Sequence, residues 1–342
     1  MKVLIGIDPH KGSHTAVAID GDESPLGEIR VRATKKQCQA LLTWAEAFPE
    51  RRWAIESAWG LGYLLGQQLV AAGEDVVDVP PTLSARVRVM GSGKAQKNDP
   101  NDALSTAIAA LRSRRMRPVR ADDYGAVLRM LGDRHHALTS LRTQSICRLH
   151  AQLAAVIPGG MARELTAEQA RAALRTIRPV DGVMAERRRQ IADLVADVAR
   201  LDLEIKDIKL RTRLAVQASK TSLVDLHGVG PIVAALILGH SGDVTRFASR
   251  HHYASYNGTA PIEASSGPKK RHRLNPRGNR QLNHAIHMIA ISQIRSNTAG
   301  RAYYQRKLEE KQSKKEALRA LKRRISDAVY RQLLIDTDRA AA

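Results

Sequence analysis

Only two cysteines occur in the chain, Cys38 and Cys147, and they stand far apart. That argues against a disulfide framework and against any zinc site built on paired cysteines. The histidine doublets His135-His136 and His251-His252 have no partners at zinc-ligand spacing either. No apolar run approaches the ~20 residues that a membrane helix needs, so no spanning segment is expected. The amino terminus lacks the basic stretch, apolar core and cleavage site of a secretory signal, and the chain reads as cytoplasmic. Acid is scarce as well: 34 Asp and Glu face 55 Lys and Arg in 342 residues, a formal charge of +21. Such a surplus fits a polyanionic partner, nucleic acid before a membrane surface. The length allows two or three domains.

What is present begins with a strand pattern. Val3, Leu4, Ile5 and Ile7 suit a buried strand that ends on Asp8 and Pro9. Thr15–Asp20 is a second strand-like run, and Gly27–Ala33 alternates apolar and charged residues as a third. Thr34 can cap a helix reaching about Phe48, and Trp53-Ala-Ile-Glu56 is a fourth strand that also closes on a carboxylate. An apolar helix over Leu61–Ala72, a fifth strand over Val76–Val79, a loop at Gly91–Lys94 and a helix over Ala103–Arg112 follow. Asp99-Pro100-Asn101-Asp102 opens that last helix, with proline tolerated in a first turn. Three antiparallel strands, a helix, then alternating strands and helices make an α/β layer system in the order of a ribonuclease-H-like fold.

From residue 113 to 220 aromatics nearly vanish and the period becomes helical. Ile191, Leu194, Val198, Leu201, Ile205 and Ile208 advance in steps of three and four, a heptad seam that suits a coiled coil or a long amphipathic helix packed within one subunit. Breaks are expected at Pro158-Gly159-Gly160 and at Arg178–Gly182. The remainder is mostly helical. The expected division is 1–115, 116–220 and 221–342: an α/β domain, a helical oligomerisation region, and a third domain.

Two constellations carry chemistry. Asp8, Glu56, Asp99 and Asp102 sit at the ends of elements, and the spacing of three puts the last two on one helical face. Clustered carboxylates raise one another's pKa unless cations neutralise them. Magnesium is the expected ion, since it takes hard oxygen ligands and leaves positions open for water or phosphate. A pair of such ions supports phosphodiester cleavage. Asp20, Asp22, Glu23 and Asp78 read as turn or rim charges; His10 and His14, which follow Asp8 closely, read first as solvent-facing and second as facing the metal centre. In the third region, Gly228-Val-Gly230 between apolar helices resembles a helix-hairpin-helix, where glycine lets backbone approach phosphate. Ser266, in Ser265-Ser266-Gly267, is a candidate nucleophile, although no conventional triad can be drawn for it. Lys269, Lys270, Arg271, Arg273 and Arg277 follow it and could hold a scissile phosphate.

The segments Gly6-Ile-Asp8-Pro-His-Lys11, Ala54-Ile-Glu56-Ser57 and Lys97-Asn-Asp99-Pro-Asn-Asp102-Ala103 resemble the amino-terminal motifs of the DEDD transposases of insertion sequences, the bridge-RNA-guided recombinases. Leu226-His-Gly-Val-Gly-Pro231, Ala254-Ser-Tyr-Asn-Gly258, Ser265-Ser-Gly267 and Arg277-Gly-Asn279 resemble their carboxy-terminal ones, in the same order. The resemblance implies a RuvC-like domain whose magnesium ligands are Asp8, Glu56, Asp99 and Asp102. It implies a transposase domain whose serine, Ser266 with Ser265 as the neighbouring alternative, attacks a DNA phosphodiester and forms a covalent link. It further implies donor and target DNA as substrates, a structured bridge RNA that chooses them by base pairing, and a dimer or tetramer joined through a coiled coil. Two other readings stay open: a RuvC-type junction endonuclease using the acids alone, and a nucleic-acid scaffold using neither site.

Overall fold

β1 (Val3–Pro9) pairs antiparallel with β2 (Ser13–Ile19), and β2 pairs antiparallel with β3 (Pro25–Arg32). After α1 (Gln37–Ala45), β4 (Arg51–Glu56) lies parallel beside β1. After α2 (Tyr63–Ala71), β5 (Val76–Val79) lies parallel beside β4. Then come α3 (Pro81–Ser92), α4 (Asp99–Arg112) and β6 (Arg117–Pro118), which pairs antiparallel with β5. The sheet order is β3-β2-β1-β4-β5-β6. An antiparallel meander whose first strand is then extended on its free side by two successive parallel strands is the ribonuclease-H-like arrangement that the element order predicts. The computed structural model describes residues 3–92, 98–113, 116–263, 272–273, 275 and 278–341. It divides into two units, Met1–Asp122 and Asp123–Ala342.

The period of two along the strands sorts side chains between two cores. Ile5, Ile7, Trp53 and Ile55 pack with Leu41 of α1 and Leu65 and Leu69 of α2. Leu4, Val17, Ala54 and Val77 pack on the other side with Ala103 and Ala107 of α4. Gly6 and Asp8 share the parity of Leu4, and Glu56 shares that of Ala54. Both acids therefore fall on the α4 side. The register sets Gly6 against Ala54 and Ile7 against Ile55, so the two strands reach their acids level with one another. Asn98 caps α4 by accepting from the Asn101 N–H, and Pro100 occupies its first turn, as the sequence predicts. One local expectation was not met: Gly91 and Ser92 continue α3 instead of opening a loop. β6, which the sequence reading does not include, is too short to show any strand period.

The second unit is built of helices: α5 (Tyr124–Ala154), α6 (Ala167–Thr176), α7 (Gly182–Ala218), α8 (Pro231–Ser241), α9 (Arg250–Tyr256), a two-stranded ribbon of β7 (Ile262–Glu263) and β8 (His272–Arg273), then α10 (Arg280–Arg295), α11 (Ala299–Glu309) and α12 (Lys314–Ala341). α5 and α7 run antiparallel. Tyr124 donates to the Ala215 carbonyl at one end (2.8 Å), and Arg142 meets Asp202 midway (2.5 Å). The heptad residues Ile191, Val198, Leu201, Ile205 and Ile208 are buried in clusters with Leu131, Leu138, Leu149 and Leu153 of α5. The seam is therefore closed within one chain by α5. Of the two alternatives the period leaves open, the helix packed within one subunit is the one this structure holds.

The closest approach in the first unit is between β1 and α4. A Cβ on Gly6 would stand 2.1 Å from the Ala103 carbonyl oxygen and 2.5 Å from the Ala107 nitrogen. Both neighbours are backbone and cannot swing aside. Gly6→Ala should therefore cost about 3 kcal/mol of stability through overpacking, read as a lower urea midpoint. Gly12→Ala, where a Cβ meets nothing within 4 Å, is the control and should leave the midpoint within error.

Candidate active site

β1 and β4 deliver Asp8 and Glu56 to the sheet rim, and α4 crosses that rim with Asp99 in its first turn and Asp102 one turn on. Asp8 is buried, and no hydrogen bond reaches its Oδ2. Burial pushes its carboxyl up to about 6, His10 pulls the other way, and Asp102, Glu56 and Asp99 push it further up. The other three predicted acids thus lie close enough to Asp8 to act on it.

Cations and a hydroxyl hold this negative charge. His10 Nδ1 is 3.5 Å from Asp8 Oδ2, Arg30 is 3.4 Å from Asp99, and Arg88 of α3 forms an ion pair with Asp102. Thr106, one helical turn after Asp102, is buried; its hydroxyl lies 2.9 Å from the Asp102 carbonyl, 3.1 Å from Ser84 Oγ and 3.4 Å from Glu56 Oε2. Sequence reasoning missed Arg30, Arg88 and Thr106. Only Thr106 left a signal, lying on the Asp102 side of α4 four residues on. The histidine readings need correcting too. His10 is half exposed, as expected, but is turned to Asp8. His14 is buried, with Nε2 3.0 Å from Gln37 Oε1, because it sits inside β2 beneath α1.

Asp8, His10 and Asp99 each offer a ligand atom, and these atoms all lie within 4.8 Å of one another. The buried, unpartnered Asp8 oxygen is the donor a metal ion would satisfy, and the hard oxygens around it suit a divalent one. Glu56 and Asp102 stand nearby as further carboxylates. A groove of about 470 Å³ lined by Thr15, Glu28, Arg30, Asn98 and Asp99 adjoins the site. It is open, as a site acting on a polymer must be.

The carboxy-terminal candidates are placed in part. Gly228 has φ +92°, and a Cβ there would stand 3.2 Å from the Ile289 carbonyl, so this glycine seats its turn on α10. Gly230 caps α8 with open space around it. The element before them is a 3-10 turn, Ser222–Asp225, in place of the expected helix. Arg273 lies in β8, paired with Ile262. Ser265, Ser266, Lys269, Lys270, Arg271 and Arg277 lie outside the described residues. The flanks of this segment meet: a Cβ on Gly278 would be 2.4 Å from the Gly258 Cα, and the Asn279 N–H donates to the Tyr256 carbonyl at 2.7 Å. Those two glycines come from two of the motifs noted in the sequence.

The raised Asp8 carboxyl has a consequence for stability. Its proton leaves at about pH 6 in the folded chain and near its ordinary 3.8 once unfolded. Between those values the folded state holds more protons, so this group's contribution to stability falls as pH rises through the window. In EDTA at pH 7, Asp8→Asn should therefore stabilise the protein by on the order of 2 kcal/mol, read as a higher Tm. The gain should shrink towards pH 4 as the wild-type carboxyl regains its proton.

Residues 5–158 match a family model described as a transposase, and residues 221–305 match that of the transposase IS116/IS110/IS902 family. The insertion element IS116 44.8 kDa protein of Streptomyces clavuligerus is 28% identical, over 97% of this chain and 94% of its own. The insertion element IS900 42 kDa protein of Mycobacterium paratuberculosis is 27% identical, over 97% and 95%. Among solved structures, RuvC of T. thermophilus in complex with a Holliday junction substrate aligns with 35% of this chain and 100% of its own, at 19% identity and a TM-score of 0.29. With both models in chain order and relatives matching end to end, the chain belongs to the IS116/IS110/IS902 family of transposases.

Proposed function

We propose that this transposase cleaves and rejoins DNA strands with two chemical groups: a magnesium site on Asp8, Glu56, Asp99 and Asp102, and a nucleophilic Ser266. The convergence of Glu56, Asp99 and Asp102 on the buried, unpartnered Asp8 carboxyl is the observation that carries this reading. Bound magnesium would polarise a phosphodiester and stabilise the charge on a leaving oxygen. Arg30 and Arg88, paired with Asp99 and Asp102, are placed to be released towards phosphate when those carboxylates take up a cation. In the covalent step, Ser266 Oγ gives up its proton and bonds to phosphorus. The bond from phosphorus to the leaving DNA oxygen breaks, and that oxygen takes a proton. Rejoining is the reverse with a new DNA hydroxyl. The +21 charge supports a complex that holds DNA together with a structured bridge RNA. The division into residues 1–115, 116–220 and 221–342 is proposed as a division of labour between metal chemistry, assembly and serine chemistry.

Assembly of copies belongs to the same reading, but through another surface than the heptad seam. On the outward side of α7, Leu203, Leu210 and Leu214 are 70%, 53% and 57% exposed and advance by seven and four. They form a second apolar line apart from the buried seam, and a second copy of α7 would cover it.

Reaction of purified protein with donor DNA, target DNA and the element's flanking RNA tests the chemistry. Asp8→Ala should abolish strand cleavage in magnesium, and Ser266→Ala should abolish the covalent protein–DNA adduct on denaturing gels. Recombination by Ser266→Ala at the wild-type rate would instead favour a nuclease that uses the acids alone. For assembly, Leu203→Ser with Leu210→Ser should shift the protein towards monomer in sedimentation without lowering its Tm. An unchanged distribution would reject the second seam.

A further inference from the structure

One cavity of the second unit is lined mostly by groups with no role assigned above. It encloses about 810 Å³ between the end of α9, α11 and α12. Six cations line it, Arg250, Lys311, Arg319, Lys322, Arg323 and Arg324, against two carboxylates, Glu316 and Asp327. Neither carboxylate is at the disposal of the whole group. Asp327 is paired with Arg323, and Glu316 is engaged by the Ser313 N–H (2.9 Å) and hydroxyl (2.6 Å) at the start of α12. The cavity therefore carries a positive surplus.

Lys322 is the pivot. It lines this cavity and also a second one bounded by Gly258, Asn275, Gly278 and α10. Its ammonium donates to Asn283 Oδ1 at 2.6 Å, a neutral acceptor, and among the described residues no carboxylate lies within 4 Å of it. Asn283 is itself fixed, because its amide donates to the Asn257 carbonyl at 2.9 Å, beside the Gly258–Gly278 contact. Other positive or titratable groups come from two further elements: Arg280, His284 and His287 from α10, and Arg250 and His251 from α9. Burial, with Arg280 beside it, brings the Lys322 amine down to about 8. Burial and Lys322 likewise lower His284 and His287. A half-buried amine kept beside arginines and a neutral amide gains little for the fold. Such a cluster suits a ligand that brings the missing negative charge and several acceptor oxygens.

We propose that the cavity around Lys322 binds the phosphodiester backbone of a nucleic-acid strand, with Lys322 on one phosphate and Arg319 and Arg324 on its neighbours. The proposal rests on the reading of this chain as one that acts on nucleic acid, but not on the serine or the metal. Backbone contacts of this kind position a strand without reading its sequence. Since Lys322 is held through Asn283 to the clasp of Gly258 and Gly278, a strand gripped here is carried beside the flanks of the motif segment between them.

The test uses the full chain and three probes: a single-stranded DNA, an RNA of the same sequence, and the DNA duplex. Lys322→Met should raise the Kd about tenfold for the probe that occupies the cavity and lower the slope of log K against log salt by about one. Equal losses on all three probes identify the phosphodiester itself as the ligand, and a loss confined to RNA or to DNA identifies which strand lies there. Arg319→Gln with Arg324→Gln, both on the exposed lip, should weaken binding in the same way and serves if Lys322→Met does not fold. The amine gives a second readout. With lysines labelled by ¹³C-dimethylation, the resonance lost in Lys322→Arg should titrate at higher pH once the oligonucleotide is bound. Folded variants with wild-type Kd and salt slope, or an amine whose titration is unmoved at saturation, overturn the proposal. A wild-type chain that binds the probes but never cleaves in magnesium would fail the proposed chemistry and leave this site standing.

Discussion

The first unit depends on how closely α4 can lie against β1. The absent side chain at Gly6 sets that distance, since a methyl group there would meet the backbone of Ala103 and Ala107. Alanines at 103, 107 and 110 keep the facing side of the helix thin. With backbone nearly on backbone, the first turns of α4 reach the rim where β1 and β4 end. Asp99 then comes within ligand reach of Asp8, and Glu56 and Asp102 come close enough to raise its pKa. A bulkier contact would hold Asp99 and Asp102 away from Asp8 and leave an ordinary α/β layer.

Bringing those acids together has an electrostatic cost that the surrounding residues offset unevenly. Asp99 and Asp102 are paired with arginines, Glu56 receives a hydroxyl, and Asp8 keeps a buried oxygen with no hydrogen bond. Its pKa is raised first by that burial, and the three neighbouring acids add to the rise. The second unit shows the opposite sign of the same imbalance. There the surplus is positive, with Lys322 lowered by burial and by an arginine. Under the proposed reading, the negative centre among the described residues of the first unit is a place for a cation and the positive cavity of the second a place for a polyanion, the two charged components of a phosphodiester reaction.

Much of the first unit was legible because short-range rules govern it. Alternation in Leu4-Ile5-Gly6-Ile7-Asp8 sorts side chains between two faces, and a strand that ends on an acid puts that acid at a rim. Asp99 and Asp102 are spaced to share a helical face whatever surrounds them. His14 was misread because its neighbours in sequence are polar or small, whereas its burial comes from α1, more than twenty residues on. The heptad seam of α7 was legible as a seam, but a period of three and four says only that a partner exists. Whether α5 of the same chain or α7 of another covers it depends on a chain reversal that local pattern does not encode.

The sequence by itself determined the order of the first five strands and their intervening helices, the four acids offered as ligands, and the excess of positive charge. All three follow from residue type and spacing. Only the tertiary structure decided which cations meet which acids, that α5 closes the seam, and that Lys322 lies beside a contact between glycines 258 and 278. The reason is physical. Periodicity fixes which face of an element a residue occupies, but charge pairing and desolvation depend on distances between faces of different elements, and those are set when the elements pack.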